Sequence, residues 1–243
     1  MKYFTKEWYQ NCQKTIALRP LRINPKAGTY SEEFYQAVLY MRIQDECGQY
    51  KANEESYRET HKMFVELLRE RLPDAIRQEI ADVRVLELGV VTKENKRKLE
   101  KLIRMQRAEM DRPLYEYQRI YKTISEKIKK HVNFDVDNMS FHDSTVLSAH
   151  VEGNDFIIEL ESDYTPPENL RLILRNAKIL KHESNYLSAS WLYDEIYLIN
   201  DGIELHVLFF TNVSDDNGAQ LELKELILQA SFIELTKKPK ESS

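Results

Sequence analysis

The chain has 243 residues, 42% apolar and 31% charged, with 35 Lys+Arg against 40 Asp+Glu and a formal net charge of −5. That length can bury roughly 70–75% of its unfolded surface, and the apolar content is too high for an intrinsically disordered chain. Six glycines and seven prolines argue against long flexible linkers; two cysteines (Cys12 and Cys47) without CxxC spacing give neither a disulfide framework nor a zinc cluster; no apolar run approaches the roughly 20 residues of a membrane span.

The opening Met1-Lys2-Tyr3-Phe4-Thr5-Lys6-Glu7-Trp8 lacks the apolar core of a signal peptide, so a cytoplasmic location is expected. Residues 1–131 then carry the helical period. Ser31 suits an N-cap, followed by Phe34, Val38 and Met41 on one face and Tyr35 and Leu39 beside them. Asn53 caps a second helix bearing Tyr57, Phe64, Leu67 and Leu68, and Pro73 suits the first turn of another with Ile76, Ile80 and Val83. Thr92 caps a segment that Pro113 interrupts or restarts. Beyond it Leu114, Tyr117, Ile120, Tyr121, Ile124 and Ile128 form the clearest stripe in the chain.

Near residue 131 both period and charge change. Residues 1–131 hold 27 Lys+Arg against 20 Asp+Glu, a formal +7, whereas residues 132–243 hold 8 against 20, a formal −12. Alternation of period two starts near Asp143, with Leu147, Ala149 and Val151 on one face and a turn at Glu152-Gly153-Asn154. Pro166-Pro167 separates this hairpin from Leu170, Leu172 and Leu174. Asp201-Gly202 and Asn217-Gly218 carry strong two-residue hairpin chemistry. Taken as the turns themselves, they set Ile196 against Val207 and Tyr197 against His206, then Val207 against Leu228 and Leu205 against Ala230. Leu205 and Val207 thus share a buried face in a strand covered on both sides, within one meander from Ile196 to Leu235. The expected fold is α+β: an irregular helical bundle over 1–131, an antiparallel sheet of about six or seven strands over 132–236, and a disordered tail over 237–243.

The opening Met1 to Tyr9 resembles the start of an uncharacterised bacterial family, found chiefly in spore-forming bacilli, of unknown function. Phe141-His142-Asp143, entering the sheet, is similar to a Phe-His-Asp signature of small β-rich bacterial domains that include immunity-like proteins of toxin systems. These resemblances imply a cytoplasmic bacterial protein that binds another protein. They carry over no catalytic residues.

The residues themselves offer few sites. His142 and Asp143 suit a turn in which the carboxylate accepts backbone N–H groups while the ring points outward. Tyr197, Glu204 and His206 gather on one strand surface, where a carboxylate beside an imidazole raises its pKa and orients it. Phe141, His142, Asp143, Tyr197, Glu204 and His206 are therefore the candidate binding residues. There is no HxH, HExxH, GxSxG, GxxxxGK or GxGxxG. No metal site, cofactor or catalytic residue is expected, and an enzyme is disfavoured. The leading function is a non-enzymatic protein-interaction protein using its acidic β unit. The alternative is a nucleic-acid-associated regulator. Residues 93–130 carry 13 Lys+Arg against six Asp+Glu, and Lys96, Arg97, Lys101 and Arg104 could follow phosphates along one side of a helix. Tyr117 and Tyr121, available for stacking, fall on the apolar stripe and are expected in the core.

Overall fold

The computed structural model describes residues 1–50, 53–162, 169–183, 186–215 and 218–237. Helices come first, and a large antiparallel sheet follows. The described residues form two compact units, 1–10 with 111–243 and 11–110. The switch from helix to strand near residue 131 falls where the sequence places it. The division between units lies earlier, inside a helix.

The first unit to be traced, residues 11–110, begins within α1 (Lys6–Gln13). It continues through β1 (Arg22–Ile23), a 3₁₀ turn at Pro25–Gly28, α2 (Glu32–Tyr50), α3 (Glu54–Arg71), α4 (Asp74–Arg77), α5 (Val83–Glu87) and β2 (Val90–Val91). Ser31 Oγ accepts the amide of Phe34 at 3.2 Å and Asn53 Oδ1 that of Glu55 at 2.9 Å, so both caps act as their side chains dictate. Tyr35, Val38, Leu39 and Ile43 of α2 are buried with Val85 and Leu88, while Met41 is 58% exposed. The helix expected after Pro73 is broken: α4 stops after one turn, and Asp82 recaps the chain by accepting the amide of Arg84 at 2.9 Å. β1 and β2 pair in parallel, a contact no short-range pattern announces.

α6 (Lys93–Ile128) begins where Thr92 Oγ1 accepts the amide of Asn95 at 3.2 Å, and it runs unbroken through Pro113. The carbonyl left unpaired by the missing proline N–H belongs to Glu109, an exposed residue, so water can satisfy it. Leu99 packs into one unit's core and Ile128 into the other's.

The second unit is built on eight strands: β3 (Thr145–Glu152), β4 (Asp155–Glu161), β5 (Asn169–Arg175), β6 (Lys178–His182), β7 (Ser190–Ile199), β8 (Gly202–Asp215), β9 (Gly218–Ala230) and β10 (Phe232–Lys237). Their order is β10-β5-β4-β3-β7-β8-β9-β6. β10 therefore leaves the expected meander and pairs with β5. The higher strand count has a simple origin. β5 and β6 are one run with a corner at Asn176-Ala177, and β9 and β10 are one run with a corner at Ser231. The pairs Phe232↔Arg175 and Lys178↔Gln229 belong to a single register. Ser231 ties the two corners, donating its amide to Arg175 O at 3.0 Å and accepting Asn176 Nδ2 at 3.0 Å. The bent pair closes the strand order into a ring, whose β3–β7 seam is short, pinned by Thr145↔Ser190 and by Val146 N donating to Ala189 O at 2.8 Å and Trp191 N to Ser144 O at 2.9 Å.

Both late hairpins turn one residue earlier than expected. Ile199 pairs with Gly202, so the loop is Asn200-Asp201, and Asp215 pairs with Gly218; Asn217 itself lies outside the described residues. Ile196 consequently faces Leu205, and Leu205 faces Leu228. A slip of two residues preserves which side chains point inward. Leu205, Val207 and Leu228 are accordingly buried together, with exposures of 3%, 0% and 0%. Gly202 takes the strand position, at φ 153°, because a Cβ there would strike the carbonyl oxygen of Ala230. In β3 a bulge between Val146 and Ser148 upsets the simple alternation: Val146 is buried, whereas Leu147 and Val151 are exposed. The Pro166-Pro167 break and the tail beyond Lys237 lie outside the described residues.

Candidate functional site

β7 presents alternate side chains to the two sides of the closed sheet. Asp194 and Ile196 face inward, while Glu195 and Tyr197 face outward with His206 of β8, which pairs with Glu195. The outward face is not left to solvent. The chain's own amino-terminal segment lies on it, and Glu195 is the anchor. Its carboxylate is fully buried and accepts the amides of Lys2 at 2.8 Å, Tyr3 at 2.8 Å and Phe4 at 2.6 Å, together with the Tyr197 hydroxyl at 2.6 Å. Four donors on two oxygens satisfy the hydrogen-bonding capacity of the buried carboxylate.

Side chains complete the seat. The Lys2 ammonium lies 4.0 Å from the centre of the Tyr197 ring. Phe4, only 3% exposed, packs among Trp8, Tyr117 and Tyr193 at ring separations of 5.2, 5.4 and 5.3 Å. Tyr117 of α6 accepts the amide of Ile196 at 2.7 Å, and burial pushes its phenol far above the ordinary range. Burial, and then the Glu195 carboxylate it bonds, do the same to Tyr197. Both phenols are held neutral. A second anchor follows at Lys6, whose ammonium meets Glu183 at 2.6 Å. Burial alone would raise the Glu183 carboxyl, but Lys6, the amide of Glu225 and Lys181 outweigh it and hold the group down at about 2.

His206 is 4% exposed. Its Nε2 bonds Glu204 at 2.7 Å, Gln229 Nε2 donates to the other Glu204 oxygen at 2.9 Å, and its Nδ1 stands 3.8 Å from Glu195. Among the described residues that Nδ1 has no hydrogen-bond partner. Burial tends to raise Glu204, yet His206 and Gln229 leave it below the usual carboxylate range.

Three of the candidates, Tyr197, Glu204 and His206, do stand together, although Tyr197 pairs with Glu204 rather than with His206. The Tyr197 and His206 rings still meet diagonally at 5.1 Å. His142 joins the same aromatic surface through Tyr193, at 5.4 Å and nearly perpendicular. Asp143 sits in the turn at φ 64°, a conformation Asp tolerates better than most residues. Its carboxylate bonds the His142 ring at 2.9 Å instead of capping backbone amides. The backbone supplies the link to β7, Asp143 N donating to Trp191 O at 2.8 Å. Phe141 does not share the surface: it is 7% exposed and packs against Trp191 inside the sheet.

The basic candidates lie elsewhere, in residues 11–110. Lys96 donates to Leu21 O at 3.0 Å, whereas Arg97, Lys101 and Arg104 are exposed along one side of α6. Tyr117 and Tyr121 face protein, as the stripe implies, and Tyr121 donates to Asp137 at 2.9 Å.

Sequence reading missed Glu195, the centre of the site. It also missed a buried polar chain in the helical unit, where Tyr35 Oη lies 3.2 Å from His61 Nε2, His61 Nδ1 bonds Glu87, and Arg19 donates to Glu87 at 3.3 Å. That chain links α2, α3 and α5. The only available clue to Glu195 was indirect: a charged residue in a strand covered on both sides must find donors.

No group of three or more His, Cys, Asp or Glu residues suited to a metal occurs among the described residues, and none of their helices is long and apolar enough to cross a membrane. The architecture is therefore an α+β protein whose antiparallel sheet holds a bent amino-terminal segment on its outer face. Over residues 3–215 the chain matches the family described as "Protein of unknown function (DUF4085)", and it belongs to that family. No curated protein matches it, and no solved structure does.

Proposed function

We propose that this is a non-enzymatic protein-interaction protein whose outer β7–β8 face recognises a bent stretch of polypeptide through its main chain. The observation that carries this reading is the Glu195 clamp, which holds three successive backbone amides at 2.6–2.8 Å. Main-chain donors exist in every polypeptide, so the clamp supplies affinity. The Tyr197 face for a cation and the aromatic pocket for Phe4 supply selectivity. The class of ligand is a segment with a basic residue two positions before an aromatic one, bent so that three successive amides point to one side.

Within the same reading the protein works in the cytoplasm. The immunity-like role implied by the Phe141-His142-Asp143 resemblance puts His142 and Asp143, both exposed, at the rim of the contact surface. The test uses the full chain carrying Phe4→Asp, which weakens the resident segment, titrated with a labelled synthetic peptide of residues 1–10. Saturable micromolar binding that is lost on adding Glu195→Gln is the expected result. A folded Phe4→Asp chain that ignores the peptide at 1 mM refutes the reading.

A further inference from the structure

We infer that the β7–β8 face also takes the amino-terminal segment of a second copy of this chain, so that two chains associate by exchanging arms. The inference rests on the peptide-recognition reading and names a partner for that site.

Three observations converge on this partner. First, the seat fits one segment in detail: Glu195 for the amides of residues 2–4, the Tyr197 ring for the Lys2 ammonium, and the Trp8–Tyr117–Tyr193 cluster for Phe4. A second copy carries an identical ligand. Exchange therefore preserves every contact and needs no new complementarity. Second, arm and receptor are remote in sequence, separated by 191–193 residues at the clamp. The arm is not a hairpin partner held in place by a short turn. Beyond Gln10 the chain enters the separate compact unit 11–110 and rejoins the sheet unit only at Asp111. Third, the charges are complementary. The first ten residues carry Lys2 and Lys6 against Glu7, and they meet a stretch, residues 132–243, of formal charge −12. Lys6 pairs with Glu183 in addition to the clamp.

Attachment in cis keeps the arm at high local concentration, so the isolated chain at low concentration stays closed. Trans binding emerges when the cis contact is disabled. The experiment mixes two full-length chains, each defective in one half of the contact. One carries Phe4→Asp (arm damaged, receptor intact); the other carries Glu195→Gln (arm intact, receptor damaged). Circular dichroism checks the fold of each, and Phe4→Ala replaces Phe4→Asp if the latter fails to fold. Sedimentation velocity at 5–200 μM is the readout.

The mixture is expected to form a 1:1 species of twice the single-chain mass, at least tenfold tighter than self-association of either variant alone. That association should weaken at least threefold between 50 and 500 mM salt. A mixture that stays monomeric at 200 μM, while the Phe4-damaged chain still binds the free peptide of residues 1–10, overturns arm exchange and leaves the recognition reading standing. A monomeric mixture whose Phe4-damaged chain also ignores the peptide overturns both. A complex that persists when both chains carry Glu195→Gln overturns the exchange too, since association then bypasses the clamp.

Discussion

Replacing Glu195 with alanine probes the site most directly. The carboxylate receives three amide bonds from the segment and one hydroxyl bond from Tyr197, and charge-assisted bonds of this kind contribute about 1.5–2 kcal/mol each, so the three amide bonds together give about 4.5–6 kcal/mol. Burial of Phe4 at 3% exposure adds about 2 kcal/mol. Against these stands the ordering of residues 1–4, at roughly 1–1.5 kcal/mol per residue or about 4–6 kcal/mol in all. Docking of the segment is thus worth about 2 kcal/mol. That figure and the Tyr197 bond, about 4 kcal/mol together, cap the loss, because in Glu195→Ala the segment can lift away and its amides can return to water.

The expected destabilisation is about 3–4 kcal/mol, in line with removing one partner from a buried ionic contact. Hydrogen exchange followed by mass spectrometry on the peptide covering residues 2–8 reads the mechanism separately from global stability. Protection there should fall to the level of a free chain in Glu195→Ala, while the strands β8 and β9 keep theirs. Glu195→Gln retains one acceptor but turns an N–H₂ group towards N–H donors, so it should lie between wild type and alanine. Unchanged protection at residues 2–4 in Glu195→Ala would refute the clamp, whatever the melting temperature does.

Other perturbations read other parts of the fold. Burial inside the sheet holds the Asp194 carboxyl above the ordinary range, so the folded state binds its proton more tightly than the unfolded chain. That contribution is full below the usual carboxylate pKa and disappears as pH rises through the raised value. Asp194→Asn should therefore stabilise the protein at pH 7 by about 1 kcal/mol and by progressively less towards pH 4; a destabilised variant at pH 7 in urea melts counts against it. Glu183 is depressed to about 2, so its support for Lys6 is complete above the ordinary carboxylate pKa of 4.5 and fades as pH falls towards 2. Exchange protection of α1 should accordingly survive at pH 4, and its loss between pH 6 and 5 would contradict the pairing. Gly202→Ala forces a Cβ onto the Ala230 carbonyl and should cost about 1–3 kcal/mol by denaturant titration, against a neutral result if the turn can shift. For the nucleic-acid alternative, no binding tighter than about 10 μM is expected near physiological salt. Submicromolar binding abolished by charge reversal at Arg97, Lys101 and Arg104 would favour that rival.

Inward and outward facing were legible in β8 because parity survives error. The Asp-Gly and Asn-Gly signals place each turn to within one residue, and the resulting two-residue slip leaves Leu205, Val207 and Leu228 on the buried side. Closure of the sheet was not legible. It depends on corners at Asn176 and Ser231 that keep one register across two strands, and no local pattern encodes a bend that preserves hydrogen bonding. α6 misled for a related reason. Proline forbids one hydrogen bond, but whether a helix stops there depends on whether water can reach the orphaned carbonyl.

The neighbours Asp194 and Glu195 show why the centre of the site stayed hidden. Both are acidic, both sit in the middle of β7, and a period-two strand must send them to opposite sides. Outside, Glu195 meets a segment whose amides carry no side-chain identity and so leave no trace in the sequence. Inside, Asp194 meets the indole of Trp191 at 3.0 Å and an apolar cavity of about 30 Å³ walled by Phe134, Phe141 and Leu205. Identical chemistry therefore has two outcomes. Four donors satisfy the oxygens of one carboxyl, whereas burial raises the pKa of the other. The side that received the donors holds the amino-terminal segment. Its occupant is written into the first four residues of the same chain.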